Sequence, residues 1–176
     1  MLKGDTESKI KLLVYGIGNA SRGDDALGPE LLARLKQHML NNQQDANNLF
    51  QITLEEAFQL QPEHIYDFEH QDMILFLDAD ARFSEGTCFT KISGNSLAMK
   101  QAYVSHALPP EQLLAMHESL TDEETPPAFA LSMGAQHMEL EEGLSEQAKT
   151  NLAEAEQLLL TLLNSSLDQW QTQATI

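Results

Sequence analysis

The chain has 176 residues, 42% of them hydrophobic, enough for one domain with a substantial core and too apolar for a disordered chain. Ten basic residues stand against 27 acidic ones, a formal net charge of −17 that repels phosphate backbones and anionic lipid, so neither a nucleic acid nor a membrane is expected as partner. No apolar run approaches the roughly 20 residues that span a bilayer, and the opening Met1-Leu2-Lys3-Gly4-Asp5 has no signal-like stretch. A single cysteine, Cys88, excludes an internal disulfide and a cysteine-rich zinc site. The expectation is a cytoplasmic monomer.

Apolar, β-prone residues from Ile10 to Tyr15, stopping at Gly16, predict a buried strand. Leu27, Leu31, Leu32, Leu35 and Met39 then recur at helical spacing, with Pro29 tolerable in the first turn. After a polar connection from Asn41 to Asn48, residues Leu49 to Leu54 read as a second strand, and Pro62 to Phe68 as a short helix. Met73 to Leu77 is the clearest core strand, its unbroken apolar character suiting a parallel strand covered on both faces. Thr87 to Ile92 predicts a weaker, edge strand that holds Cys88 as a structural residue. Pro109 and Pro110 open a helix through Leu113, Leu114 and Met116, and Phe129 to Met133 is a further strand ending at Gly134. Ser145 is a candidate N-cap for a last helix striped with Leu152, Ala155, Leu159 and Leu162, followed by a polar tail from about Asn164 that is expected to fray.

Strand and helix alternate without repeats, which predicts one α/β domain over residues 1–176: three layers, a twisted and mainly parallel sheet with helices on both faces. In such sheets ligands bind beyond the carboxyl ends of the strands. Three places qualify: the loop after Tyr15, the residues after Leu77, and the loop around His106.

The first loop, Gly16-Ile17-Gly18-Asn19, invites a dinucleotide-binding reading. The third glycine of that fingerprint falls at Ser21, and Asp24 and Asp25 stand where a pyrophosphate would dock. Carboxylates at a helix N-terminus are stabilised by its partial positive charge but repel phosphate. One of the pair reads as a plain helix cap, and metal or catalytic use of the other stands open beside that reading. Asp78 ends the most hydrophobic strand, where a carboxylate is expensive to desolvate unless paired, capping or metal-bound. Asp80 follows on the same side if the strand continues. Among the six histidines, His38, His64, His70 and His117 sit in polar contexts that suggest solvated imidazoles, whereas His106 and its rival His137 lie near strand or helix ends. Two carboxylates and an imidazole make a reasonable open site for zinc or nickel. Neither a His-Glu-x-x-His pattern nor a Gly-x-Ser-x-Gly elbow is present.

The blocks Leu12 to Asn19 and Gly23-Asp24-Asp25-Ala26-Leu27-Gly28 resemble the opening of the hydrogenase maturation proteases. The resemblance continues through Leu60 to His64, Phe76-Leu77-Asp78-Ala79, Ser105 to Leu114 and Gly143-Leu144-Ser145, in that order along most of the chain. It implies an endopeptidase that cuts a C-terminal extension from the large-subunit precursor of a nickel-iron hydrogenase once nickel is inserted. It implies further that Asp25, Asp78 and His106 are the metal-contacting residues, and the same three are the expected catalytic set. The nickel is expected to be supplied by the substrate precursor, with other divalent cations able to substitute. Ala26 stands where many relatives have glycine, Asp25 where some have glutamate, and Leu54 to Phe58 departs from the family pattern. A non-catalytic, precursor-binding maturation chaperone on the same scaffold is the alternative, and a dinucleotide-binding enzyme a more distant one.

Overall fold

The computed structural model describes residues 9–42, 49–94, 108–140 and 143–175. Five strands form one sheet: β1 (Ile10–Ile17), β2 (Phe50–Ala57), β3 (Met73–Asp80), β4 (Thr87–Ile92) and β5 (Ala128–Gly134). Their spatial order is β2-β1-β3-β5-β4, parallel throughout except for β4, which runs antiparallel to β5 at one edge. Among the described residues four α-helices accompany them: α1 (Leu27–Asn41), α2 (Pro110–Leu120), α3 (Glu146–Leu163) and α4 (Leu167–Gln173). Two 3₁₀ turns, Gly23–Ala26 and Pro62–Phe68, complete the described elements.

The central strands are apolar on both faces because both faces are covered. In β1, Leu12 and Val14 point into one cluster with Leu31 and Leu35 of α1 and Leu152 and Leu159 of α3. Leu13, Tyr15 and Ile17 point into the other, with Ile65 and Phe68 of the second 3₁₀ turn and Leu113 and Leu114 of α2. Strand β3 divides likewise, Met73, Leu75 and Leu77 against Ile74 and Phe76. This is the three-layer α/β domain that the alternating pattern predicts. No helix among the described residues is long and apolar enough to cross a membrane.

Strands β1, β2 and β3 run two or three residues beyond their apolar cores. Backbone pairing continues through Tyr15↔Glu55, Gly16↔Glu56 and Ile17↔Ala57, and through Asp78↔Ser132 and Asp80↔Gly134. A parallel ladder is held by main-chain groups and tolerates polar side chains at its carboxyl end, where one face opens to solvent. Ser145 caps α3 as expected, its hydroxyl accepting from the Ala148 amide at 3.1 Å.

The polar tail differs from expectation. Beyond Asn164 the chain turns into α4, and Trp170 is fully buried among Phe50, Phe89 and Phe129. Its indole Nε1 donates to the Leu162 carbonyl oxygen at 2.7 Å. Thr175 then reaches β4, where its amide donates to Phe89 O at 2.9 Å and extends the sheet edge. One large side chain outweighs the polarity of its neighbours, because burying an indole with its N–H satisfied anchors the whole segment. Trp170→Ala is expected to lower stability by about 3–5 kcal/mol, read as the urea midpoint followed by circular dichroism; a change below about 1 kcal/mol would mean the segment is only loosely docked.

Candidate active site

The crossover from β1 leads to β2 on one side, and the next, from β2, returns past β1 to β3 on the other, so the strand order reverses between β1 and β3. A crevice forms beyond the carboxyl ends of the strands at such a reversal. There the protein has a cleft of about 540 Å³. Asp25 and Asp78 both line it.

Asp25 is held in place by a tight loop. Its backbone amide donates to Arg22 O at 3.0 Å, and its Oδ2 accepts from the Asn19 amide at 3.2 Å. Gly18 adopts φ +136°, and a Cβ there would collide with the Asp25 carbonyl oxygen. Only glycine meets both demands. Gly28, in the first turn of α1, lies so close to the Ile17 and Leu77 carbonyls that a side chain would strike both. The helix start therefore abuts the ends of β1 and β3 and carries Asp25 to the crevice.

Asp78 projects from the same face of β3 as Ile74 and Phe76, one alternation past the apolar core, towards the layer of α2. The Ala79 amide donates to its Oδ1 at 2.8 Å, its sole hydrogen bond among the described residues. Burial pushes the Asp78 carboxyl up to about 7; the nearby charges of Asp25 and Asp80 add to the rise, and the Ala79 amide offsets part of it.

The other two aspartates are satisfied. Asp80 lies on the same face and also lines the cleft, but Arg82 grips it with Nε at 2.9 and 3.0 Å and Nη2 at 2.6 Å. The Arg82 amide adds a further bond at 2.9 Å, and this clamp holds the Asp80 carboxyl below the usual range. Asp24 is fully buried and does not cap its own helix. Its Oδ2 accepts from the amides of Gln136 at 3.0 Å and His137 at 3.1 Å and from the Ser145 hydroxyl at 3.0 Å. Its Oδ1 accepts from the Ser145 amide at 2.8 Å, and its own amide donates to His137 O at 2.6 Å. Burial raises its carboxyl, but these donors outweigh that and hold it below the usual range. Asp24 is thus a tie between the first loop, the end of β5 and the start of α3. Which member of the Asp-Asp pair faces inward depends on partners more than 110 residues away, and no local pattern reveals it.

The histidines divide differently from their sequence contexts. His106 lies outside the described residues; Leu108 and Pro109, just after it, line the cleft. His137 is exposed, lies outside the cleft lining, and serves the Asp24 tie through its backbone. His117 is not solvated: it is 1% exposed, packs its ring 5.4 Å from Phe68 and pairs Nδ1 with Thr125 Oγ1 at 2.7 Å, and burial lowers its pKa. His64 is half-buried against Tyr15, its Nδ1 accepting from the Gln61 amide at 3.0 Å. Among the described residues, no three His, Cys, Asp or Glu side chains gather closely enough to hold an ion. Asp25 and Asp78 supply two under-coordinated carboxylates, each with lone pairs to spare for a cation.

No protein-family model and no curated protein matches the chain. Solved structures do match. A crystal structure of a NiFe hydrogenase maturation protease, HycI, from Thermococcus kodakarensis KOD1 is 21% identical with TM-score 0.64, covering 90% of this chain and 96% of its own. An endopeptidase from Escherichia coli solved in solution is 17% identical with TM-score 0.64, covering 88% and 92%. The hydrogenase maturating endopeptidase HybD from E. coli is 18% identical with TM-score 0.57, also covering 88% and 92%. The fold is the one these proteases share, in agreement with the resemblance in the motifs.

Two measurements check the division among the aspartates. Asp24→Ala strands three amides and a hydroxyl and is expected to lower stability by about 3–5 kcal/mol, read by thermal unfolding. Asp78 has the opposite sign. Between its unfolded pKa near 3.9 and its folded value of about 7 the native state holds the extra proton, so stability falls as pH rises through that window. Asp78→Asn is therefore expected to melt above the wild type at pH 8, by about 3 °C or more, with the difference narrowing towards pH 4. An equal or lower melting point at pH 8 would contradict the buried, proton-holding carboxyl.

Proposed function

We propose that this chain is an endopeptidase that removes the C-terminal extension of a nickel-loaded nickel-iron hydrogenase large-subunit precursor. The observation that carries this reading is the pairing of Asp25 and Asp78, both short of donors, at the reversal point of a fold shared with maturation proteases over about nine-tenths of the chain. The third group, His106, comes from the motif resemblance.

What nickel supplies, when it arrives with the substrate, is polarisation of the scissile carbonyl. The chain's own residues do the rest. Asp25 and Asp78 offer carboxylate oxygens whose lone pairs are otherwise unspent, which orients the loaded site against the cleft. Asp78, protonated up to about pH 7, gives up its proton as the cation docks, so docking releases a proton near neutrality. A carboxyl that exchanges its proton at that pH is also matched to general base and acid work on water and leaving amine. Precursor lacking nickel has nothing to displace that proton and is passed over.

The test is incubation of the protein with nickel-loaded and nickel-free large-subunit precursor from the same organism, reading the precursor's C-terminus by mass spectrometry. Loaded precursor is expected to lose a C-terminal segment and unloaded precursor to stay intact. Asp25→Asn, Asp78→Asn and His106→Ala are each expected to slow trimming about a hundredfold or more. Precursor affinity is expected to weaken as pH falls below 7, by up to tenfold per pH unit for the one proton displaced. Binding without any loss of mass would instead favour a precursor-binding chaperone, and equal trimming of nickel-free precursor would defeat the metal-gated scheme.

A further inference from the structure

Several large apolar side chains remain exposed, among them Leu40, Tyr66, Leu120 and Leu140. Among the described residues only one of these, Phe58, also lines the cleft. It is 63% exposed, so the fold itself does not use its ring. Phe58 directly follows β2, whose last residue, Ala57, is paired with Ile17 and accepts from the Gly18 amide at 3.0 Å. The ring therefore stands on rigid backbone beside the loop that carries Asp25. Ile17 and Leu60, both buried, line the same end of the cleft.

Resting on the endopeptidase reading, we propose that Phe58, with Ile17 and Leu60, forms an apolar subsite that grips an apolar side chain of the precursor about three residues from the scissile bond. The spacing follows from the sheet. β2 and β3 are separated by β1, two strand spacings of about 4.8 Å each, and an extended peptide advances about 3.3 Å per residue. A peptide crossing the strand ends with its scissile bond at Asp78 thus presents its third neighbour to Phe58. The two ends of the cleft differ in chemistry. Asp25 and Asp78 offer carboxyl groups that suit a cation, whereas Phe58, Ile17 and Leu60 offer apolar surface, which is stabilised by taking an apolar side chain out of water. Phe58 is a specificity-determining residue in this arrangement. It adds ground-state and transition-state binding alike and leaves the reacting groups untouched, so its loss appears in KM.

The experiment compares wild type, Phe58→Ala and Phe58→Leu on nickel-loaded precursor, with trimming rates by mass spectrometry and precursor affinity by fluorescence anisotropy. Phe58→Ala is expected to raise KM about tenfold or more with kcat within about threefold, to melt with the wild type, and to be largely rescued by Phe58→Leu. Replacing the apolar precursor residues within three positions of the cut by serine is expected to penalise the wild type by the same factor and Phe58→Ala hardly further. A wild-type KM in Phe58→Ala, or a loss confined to kcat, overturns the subsite. If the wild type binds precursor but never trims it, the endopeptidase reading falls while a tenfold weaker binding by Phe58→Ala still supports the subsite. If it neither binds nor trims, both fall.

Discussion

The Asp24 carboxylate is the contact on which the arrangement of the site depends. It draws the loop after β1, the segment after β5 and the first turn of α3 to a single buried point through four donors. The reciprocal bond from its amide to His137 O, and the close approach of Gly23 to the same carbonyl, leave that loop no freedom to drift. A buried anion is tolerated only when its donors are preorganised. Here two of the four come from Ser145, whose hydroxyl also caps α3, so helix start and loop hold one another. Asp25, the next residue, inherits its position from this tie.

Four aspartates lie within reach of the strand ends, and their hydrogen bonding sorts them. Asp24 and Asp80 are saturated, one by main-chain donors and a hydroxyl, the other by an arginine, and both are held ionised. Asp25 and Asp78 are not saturated, and Asp78 responds to burial by keeping its proton. The fold thus places its donors on Asp24, which supports the cleft, and on Asp80, which lines it, and leaves Asp25 and Asp78 with lone pairs to spare. Leaving Asp78 short of donors has a stability penalty once the carboxyl ionises. Arg82 contributes by neutralising Asp80 next door, which keeps the local field from becoming so negative that Asp78 could never ionise.

Much of this was legible in the residue order, and what was not shares a cause. The run Met73 to Leu77 announced a doubly covered strand, and with it the placing of Asp78 at a strand end, because hydrophobic periodicity is a local signal. Ser145 was legible as a cap for the same reason. The choice between Asp24 and Asp25, the burial of His117 and the docking of Trp170 all rest on partners remote in the chain. His117 is surrounded in sequence by polar residues yet lies against Phe68, nearly 50 positions earlier. Trp170 sits in a polar tail whose binding cleft is assembled from β2, β4 and β5. Composition in a window reports the neighbours along the chain, whereas burial depends on neighbours across it. Where the motif resemblance reached further, it did so by carrying tertiary information that no window of residues contains.

The far wall of the cleft follows from the single antiparallel strand. Because β5 lies between β3 and β4, the short connection from Asp80 to Thr87 must cross over the carboxyl end of β5. It does so in contact with that end: Ala135 donates to Asp80 O at 3.1 Å and to Phe83 O at 3.0 Å, and Gly134 donates to Gly86 O at 3.0 Å. Buried Asn151 of α3 clamps the crossing from beneath, accepting from the Gly86 amide at 2.9 Å and donating to Ser84 O at 2.9 Å and Gly134 O at 2.8 Å. A parallel β4 would have needed a long crossover through another layer and would have left the ends of β3 and β5 open. The reversal instead lays a hydrogen-bonded strap across them, and on that strap sits Arg82. The edge strand is therefore part of the site's construction: the connection that leads into it carries Arg82, which with Asp80 lines the cleft.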